Sequence, residues 1–455
     1  MINGPDRSGE PVDRLHSAAS AARDLVVHSG ATRWEFYAKA STVQELVIEP
    51  EPPVQVSTTR ETGVAVRTVG HGDTGFGAAS GLDADAARVA VNAALASHAP
   101  LAVDPLPPSR LLGQTTVSDP RTLPMAGWAT HSAEALTTEI LRAANRRLLI
   151  RRLTFHLGTM GWLLATGDGF VATHHDSSVS VTVDLAHRNG AGASHREWIW
   201  VHDPTTFDPA AAAEQICNRA LLTAAPVRFE HGLRDLLLHR EVASHLFAAL
   251  SPMFIPMPGS ADTVERLVDR SGRLAPDALT LVEDRSLPSC PCVAPCDGEG
   301  LPTRRHLLLD HGVPRHRLAS HLEGQLFGET TRGGARRLSY RDYPTTAIGA
   351  LCVIPDPGVS SAQLLGAADR SCYLVRLMSP VDIDFARDAL TMTASGVWLE
   401  RDGVKGFQPL LEIRASITGL LRSIEMVGTD LAWHQTSRGF VSAPSLFVRR
   451  QKIVG

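Results

Sequence analysis

Three consecutive runs constrain this chain more than any other feature: "RRLTFHLGTMGWLLAT" from Arg151, "FVATHHDSSVSVTVDLAHRN" from Phe170 and "HREWIWV" from His195. Apolar and polar residues alternate along each of them, and turn residues separate one run from the next. A period of two is the mark of a strand with one buried face. Short turns between such strands leave only antiparallel neighbours, because a parallel return needs a crossover of a dozen residues or more. A meander of antiparallel strands is therefore fixed in the middle of the chain.

A sheet of this kind must bury its apolar face against something. Helical spacing recurs from Pro11 to about Ser29, after Asp83 (a plausible N-cap), from Ala133 to Arg147 and from Ala210 to Thr223. "WEFYAKASTVQELVIEP" and "GVAVRTV" add strand material ahead of the meander. The first 225 residues are thus expected to form an α/β domain with antiparallel strands. From Pro226 to residue 455, "LRDLLL", "LTLVED", "RRHLLLDHGV", "GALCVIP", "SCYLVRLM" and "TMTASGVWLERDGV" read as strands. A helix is expected around Arg317–Phe327, another in "SITGLLRSIEMVGTD", and irregular chain over Ser251–Ala275. The overall class is α+β with two domains, the second mostly antiparallel and barrel-like.

The length of 455 residues agrees with two cores rather than one. With a net charge of -4, the chain has no global basic field, so nucleic acid is not an expected partner. No apolar run is long enough to span a bilayer, and the N-terminus lacks the apolar stretch of a secretory signal. A cytoplasmic location is expected. The six cysteines are irregularly spaced in a large chain, which argues against a disulfide framework.

Four stretches could carry chemistry. Gly70, Gly72 and Gly75 fit GxGxxG after a strand, but the helix begins too late for its amides to meet a pyrophosphate, so a glycine-rich hairpin is expected. His174 and His175 are strand neighbours that point to opposite faces, which favours exposed strand polarity over a metal site. "CPCVAPC", Cys290 to Cys296, offers three thiols. A structural zinc site needs four ligands, and Cys290-Pro-Cys292 is tighter than usual pair spacing, so a small apolar loop is the simpler reading. Joint ligation with His239 or His245 is the alternative.

The fourth stretch, "LLLHREVASHLF" from Leu236, holds two histidines and a glutamate on a helix. His239 and His245 diverge by about 120° at 3.6 residues per turn. By spacing alone it reads as an exposed Glu241/His245 pair beside a buried stripe of Val242, Leu246, Ala249 and Leu250.

Taken together, several segments resemble the TldD/PmbA family, also described as peptidase family U62 and as modulators of DNA gyrase. "TGVAVRTVGHGDTGFGAASGLDADAARVAVNAAL" is similar to the family's strand, glycine turn and helix. "CDGEGLPTRRHLLLDHGV" resembles its FDxEGxPTxRxxLxxxGV hairpin, and "TTRGGARRLSY" its TGNxRR turn. "ASGVWLERDGVKGFQPLLEIRASITGLLRSIEMVGTDL" is similar to its C-terminal hairpin and helix.

The resemblance implies two domains and a homodimer, or a heterodimer of a TldD-type zinc peptidase subunit with a PmbA-type (TldE) subunit that lacks the metal ligands. The TldD-type motif is HExxxH with a further cysteine near the C-terminus. In this chain the motif falls on "REVASH": Arg240 stands at the first histidine, Glu241 at the catalytic glutamate, His245 at the second histidine, and no cysteine follows Cys372. An arginine carries a fixed positive charge and cannot ligate a cation.

The resemblance thus implies a PmbA/TldE-like subunit with no zinc of its own. It would shape a peptide-binding cavity with a TldD-type partner, or with a second copy, by adding an extended peptide to a sheet edge. Glu241 would be a vestigial base. Arg336, Arg337 and the strand edges near Gly333 are candidates for peptide contact, with an exposed solvated turn as the bland alternative. A second reading is a divergent zinc metallopeptidase in which His239, His245 and a cysteine such as Cys292 or Cys296 hold zinc and Glu241 is the base. Direct contact with gyrase rests on the family name alone.

Overall fold

In a computed structural model, the structure describes residues 10–29, 31–49, 54–70, 72–100, 103–113, 116–117, 125–190, 194–228, 232–256, 260–330, 333–355 and 359–454. The N-terminal half is built on an eight-stranded sheet. Its path runs Ala99–Pro100, Asp73–Ser80, Gln55–Gly70, Arg33–Ile48, Leu148–Thr166, Val171–His187, with His195–Val201 antiparallel and Thr116–Val117 parallel to the last. The meander foreseen from the period-two runs is present, pairing from Leu148↔His187 to Ala165↔Val171 with one register shift between Ile150 and Arg152.

Alternation along these strands separates two faces. Phe36, Ala38, Leu163 and Ala165 pack under the helices Glu10–Val27 and Ala84–Ala96. Leu153, Phe155, Val179 and Val181 pack under Met125–Ala143 and Pro209–Leu221. Tyr37, Trp162, Leu164 and Ala172 point the other way, toward Cys296 and Tyr340 of the C-terminal half. One face of the sheet therefore carries its helices and the other receives the second domain.

The glycine-rich segment is a hairpin, Gly63↔Ser80 through Gly70↔Asp73. Its glycines serve packing. A Cβ on Gly75 would sit 1.9 Å from the Ala94 carbonyl oxygen, and one on Gly77 2.2 Å from that of Ala90. The helix Ala84–Ala96, capped by the Asp83 carboxylate on the Ala86 N–H at 2.8 Å, thus lies directly on the strand backbone.

Pro226 and Val227 already belong to the C-terminal half, where the Val227 N–H meets the Phe407 carbonyl at 2.7 Å. Five strands close on themselves there: Gly232–Leu238, Leu446–Val454, Gly403–Ala415, Ala389–Glu400 and Ser371–Leu377, the last pairing back onto the first. Closure removes the edges that an open sheet would expose. A six-stranded sheet stands beside this barrel, in the order Val313–Pro314, His306–Asp310, Thr280–Glu283, Ala350–Ile354, Gly439–Ala443, Ala432–Thr436. The two share one core, which includes Leu236, Val242, Leu246, Val353, Leu374 and Val441.

Several local expectations need correction. The helix expected at Ala133–Arg147 starts at Met125 and ends at Ala143, because Asn145 and Arg146 take positive φ of 43° and 59°. Ser251–Ala275 holds a 3-10 turn and the helix Ser260–Leu267, hidden in the sequence by its prolines. The late helix stops at Arg422, and Ile424–Val427 pairs with Leu446–Val454 instead. His174 is buried and packs on Trp162, so it is not exposed strand polarity.

Candidate functional site

The helix Arg240–Leu250 follows directly from the barrel strand Gly232–Leu238. Val242, Leu246 and Leu250 recur at helical spacing and are buried, as expected, whereas Ala249 is only partly buried. Ala243, Ser244, Phe247 and Ala248 are buried as well, so the helix is enclosed on nearly every side and is not a surface helix. The expectation of an exposed Glu241/His245 pair is corrected accordingly. Both residues are only partly accessible, because strands of the barrel and of the six-stranded sheet pack around them.

His239 is the N-cap. Its Nδ1 accepts the Glu241 N–H at 3.2 Å, and the ring lies edge-on to Tyr373. One ring nitrogen is thereby committed to the helix start, a role the metal reading did not foresee.

Glu241 is held from outside its own domain. Arg219, near the end of the helix Pro209–Leu221, donates through Nη2 to the Glu241 carboxylate and to the Val375 carbonyl. Through Nη1 it donates to both oxygens of Glu197, at 2.9 and 2.8 Å. Glu197 Oε2 is 3.0 Å from His195 Nε2, and these two residues share one face of the strand His195–Val201. One guanidinium therefore bridges a carboxylate of each half of the chain.

The electrostatics follow from this bridge. Burial alone would raise the Glu197 carboxyl, but Arg219, with His195 and Arg240, outweighs it and holds the group well below the usual carboxylate range. Burial, then the charges of Arg219 and Arg240, push His239 well below its ordinary value. Burial, with Arg240 next, drives His434 down to about 3, and its Nδ1 lies 3.1 Å from Ser244 Oγ. His245 is lowered by burial, partly offset by Glu241 and reinforced by Arg376.

Arg240 itself turns inward. Its Nε is buried with no hydrogen-bond partner, and its charge acts on Glu197, His239, His434 and Tyr373. The helix start is a neutral imidazole cluster set among guanidiniums, with the one carboxylate a base would need already ion-paired. With Glu197 and Glu241 already facing guanidiniums, the site leaves no free carboxylate for a dication. The residues do not fit zinc.

The other predicted residues lie elsewhere. Cys290 and Cys292 are 3.5 Å apart by sulfur, and Cys292 Sγ is 3.2 Å from the Gly349 carbonyl. Cys296 packs with Tyr37, Trp162 and Tyr340 at the sheet face. Among the described residues, no group of three or more His, Cys, Asp or Glu side chains is placed to hold a metal ion, so the alternative set His239, His245, Cys292 and Cys296 is not assembled.

Arg337 is neither a peptide contact nor a solvated turn. Its side chain is 1% exposed, donates to Glu35 across the domain boundary and to the Gly298 carbonyl, and lies over the Tyr37 ring. Arg336 donates to the Ile348 carbonyl at 2.7 Å. Gly333, with φ of 70°, gives its carbonyl to Arg285 at 2.7 Å. Of the basic turn, Arg337 is thus folded inward and ties the two halves of the chain together, while Arg336 and Gly333 bond within the C-terminal half.

Sequence reasoning missed His195, Glu197, Arg219 and His434. The only local signals are the His/Glu pair two apart in "HREWIWV" and the single arginine in an alanine-rich helix.

Comparison with known proteins agrees with this architecture. Residues 232–455 match the PmbA/TldA metallopeptidase C-terminal domain. The metalloprotease TldD homolog of Buchnera aphidicola subsp. Schizaphis graminum is 24% identical over 166 residues, 36% of this chain and 34% of that protein, so the match spans about a third of that relative's length. TldE from Thermococcus kodakarensis superposes with a TM-score of 0.82 at 16% identity, covering 95% of this chain and 100% of that one. A candidate modulator of a DNA gyrase from Thermotoga maritima gives a TM-score of 0.75 at 16% identity, covering 96% of this chain and 100% of that one. At such identities these two likenesses speak to the fold.

Proposed function

The chain belongs to the TldD/PmbA family, and from that premise we propose that it is a PmbA/TldE-like subunit without zinc of its own, which shapes a peptide-binding cavity together with a TldD-type partner or a second copy of itself. The observation that carries this reading is Arg240, which turns inward at the first ligand position while Arg219 already occupies the Glu241 carboxylate. A general base must be free to take a proton from water, and an ion-paired glutamate under a guanidinium is a poor one. The cation that would have organised the site is replaced by fixed charges belonging to the protein.

In this role the helix would position peptide rather than activate water. The strand Ala432–Thr436 ends the six-stranded sheet, and it carries His434 beside Ser244. An extended peptide added to that edge would run past the imidazole cluster, its carbonyl dipoles facing Arg240.

The test is metal analysis of the purified chain together with peptidase assays, alone and after co-expression with a TldD-type subunit. The expected result is zinc far below one per chain, no cleavage by the chain alone, and cleavage by the pair. Stoichiometric zinc that disappears in His245→Ala would overturn the proposal in favour of the divergent peptidase.

A further inference from the structure

The loop "CPC" belongs neither to the helix site nor to a metal site, yet its chemistry is specific. Cys290 closes a turn, with its N–H on the Leu287 carbonyl at 2.9 Å. Pro291 fixes the next φ, and the Cys292 N–H then returns to Cys290 Sγ at 3.4 Å. The two sulfurs are held 3.5 Å apart, Cys290 fully buried and Cys292 partly accessible. Arg336 and Arg285 set a positive field at Cys292, opposed in part by Glu283.

We propose that Cys290 and Cys292 form a peroxide-sensitive dithiol that closes to an internal disulfide. Cys292 is the attacking sulfur, since its residue is the less buried of the two and its sulfur accepts from the Cys290 thiol. Its thiolate is favoured first by the hydrogen bond from the Cys290 thiol and then by Arg336 and Arg285, against the cost of burial. Cys290, buried and donating that bond, is held as the thiol. As a thiol rather than a thiolate, Cys292 would donate instead to the Gly349 carbonyl.

The chemistry balances with a hydroperoxide as oxidant. Cys292 sulfur attacks the distal peroxide oxygen, the O–O bond breaks, and the sulfenic acid forms with release of water, or of an alcohol from an alkyl peroxide. Cys290 sulfur then attacks the Cys292 sulfur, the S–O bond breaks, and the hydroxyl leaves as water with the Cys290 proton. The pair loses two electrons in all, and the peroxide gains them. Closure brings the sulfurs from 3.5 Å to about 2.0 Å. It also ends the contact with Gly349, whose N–H faces the Glu283 carboxylate at 3.3 Å ahead of the strand Ala350–Ile354.

The test treats the folded chain with hydrogen peroxide, unfolds it in an alkylating reagent, and maps the cysteines by mass spectrometry. The expected outcome is two fewer alkylated thiols out of six, a disulfide mapped to Cys290 and Cys292, and recovery with dithiothreitol. In Cys290→Ser the Cys292 sulfenic acid should persist and be trapped by dimedone. Cys292→Ser should give neither product, while Cys352→Ser should still form the bridge. Circular dichroism confirms that each variant is folded. A disulfide mapped to any other pair, or six alkylated thiols after treatment, would overturn the proposal.

Discussion

Arg219→Met separates the interdomain bridge from ordinary packing. The substitution keeps an unbranched, apolar side chain in the same space while removing the guanidinium from Glu197 and Glu241. Glu197 is 5% exposed by side chain and Glu241 18%. Breaking a buried pair by deleting one member costs ~3–5 kcal/mol, because a charge is left without compensation. Glu197 keeps His195, and Glu241 reaches some water, so the lower end of that range is expected. The assay is urea unfolding of both proteins at neutral pH. The double variant Glu197→Gln/Arg219→Met should lose less than the sum of its single variants, by more than about 1 kcal/mol.

The pH dependence supplies a second check on Arg219→Met. The folded Glu197 carboxyl is depressed, so its contribution to stability is present above the unfolded value of 4.5 and is lost as pH falls toward about 2. In the variant this acid-side slope should shrink. A loss below about 1 kcal/mol, strict additivity, or an unchanged acid limb would each refute the bridge as described.

Three further outcomes are expected. Gly75→Ala places a Cβ against the Ala94 carbonyl, which cannot swing away as a side-chain tip would, so thermal unfolding should show a loss of ~1–3 kcal/mol. Asp83→Ala removes the cap on the Ala86 N–H and should cost about 1 kcal/mol, with Asp83→Asn recovering most of it. Glu299 is fully buried among Arg67, Asp297 and Glu35, with the His321 N–H on its Oε2; burial raises its carboxyl to about 8. Its contribution is therefore complete below the unfolded value of 4.5 and is lost as pH rises toward about 8, a decline that Glu299→Gln should flatten in pH-resolved denaturation.

The architecture was legible where its cause is local. The alternation in Leu148–Thr166 and Val171–His187 fixes both strands and their opposed faces, and Asp83 marks the start of its helix. A barrel-like second half was expected but its closure was not, because the pairing of Ser371–Leu377 with Gly232–Leu238 joins residues far apart in the chain. The reading of Arg337 failed for a related reason. A glycine-arginine turn looks solvated until Glu35, some three hundred residues earlier in the chain, supplies a buried carboxylate for it.

The helix Arg240–Leu250 shows how far motif and surroundings can diverge. On the proposed reading, Arg240 stands at the family's first ligand position, and that resemblance is visible in twelve letters of sequence. What those letters do not contain is Arg219, whose guanidinium takes the Glu241 carboxylate and ties it to Glu197. Two changes therefore act in the same direction. On the proposed reading, Arg240 places a cation at the ligand position, and Arg219 ion-pairs the glutamate from the N-terminal half. Arg240→His alone would leave Arg219 on Glu241 and would supply no C-terminal thiol, so on the proposed reading metal analysis of that variant should still find zinc far below one per chain. Only a variant that also frees Glu241 from Arg219 could separate the missing ligand from the occupied base.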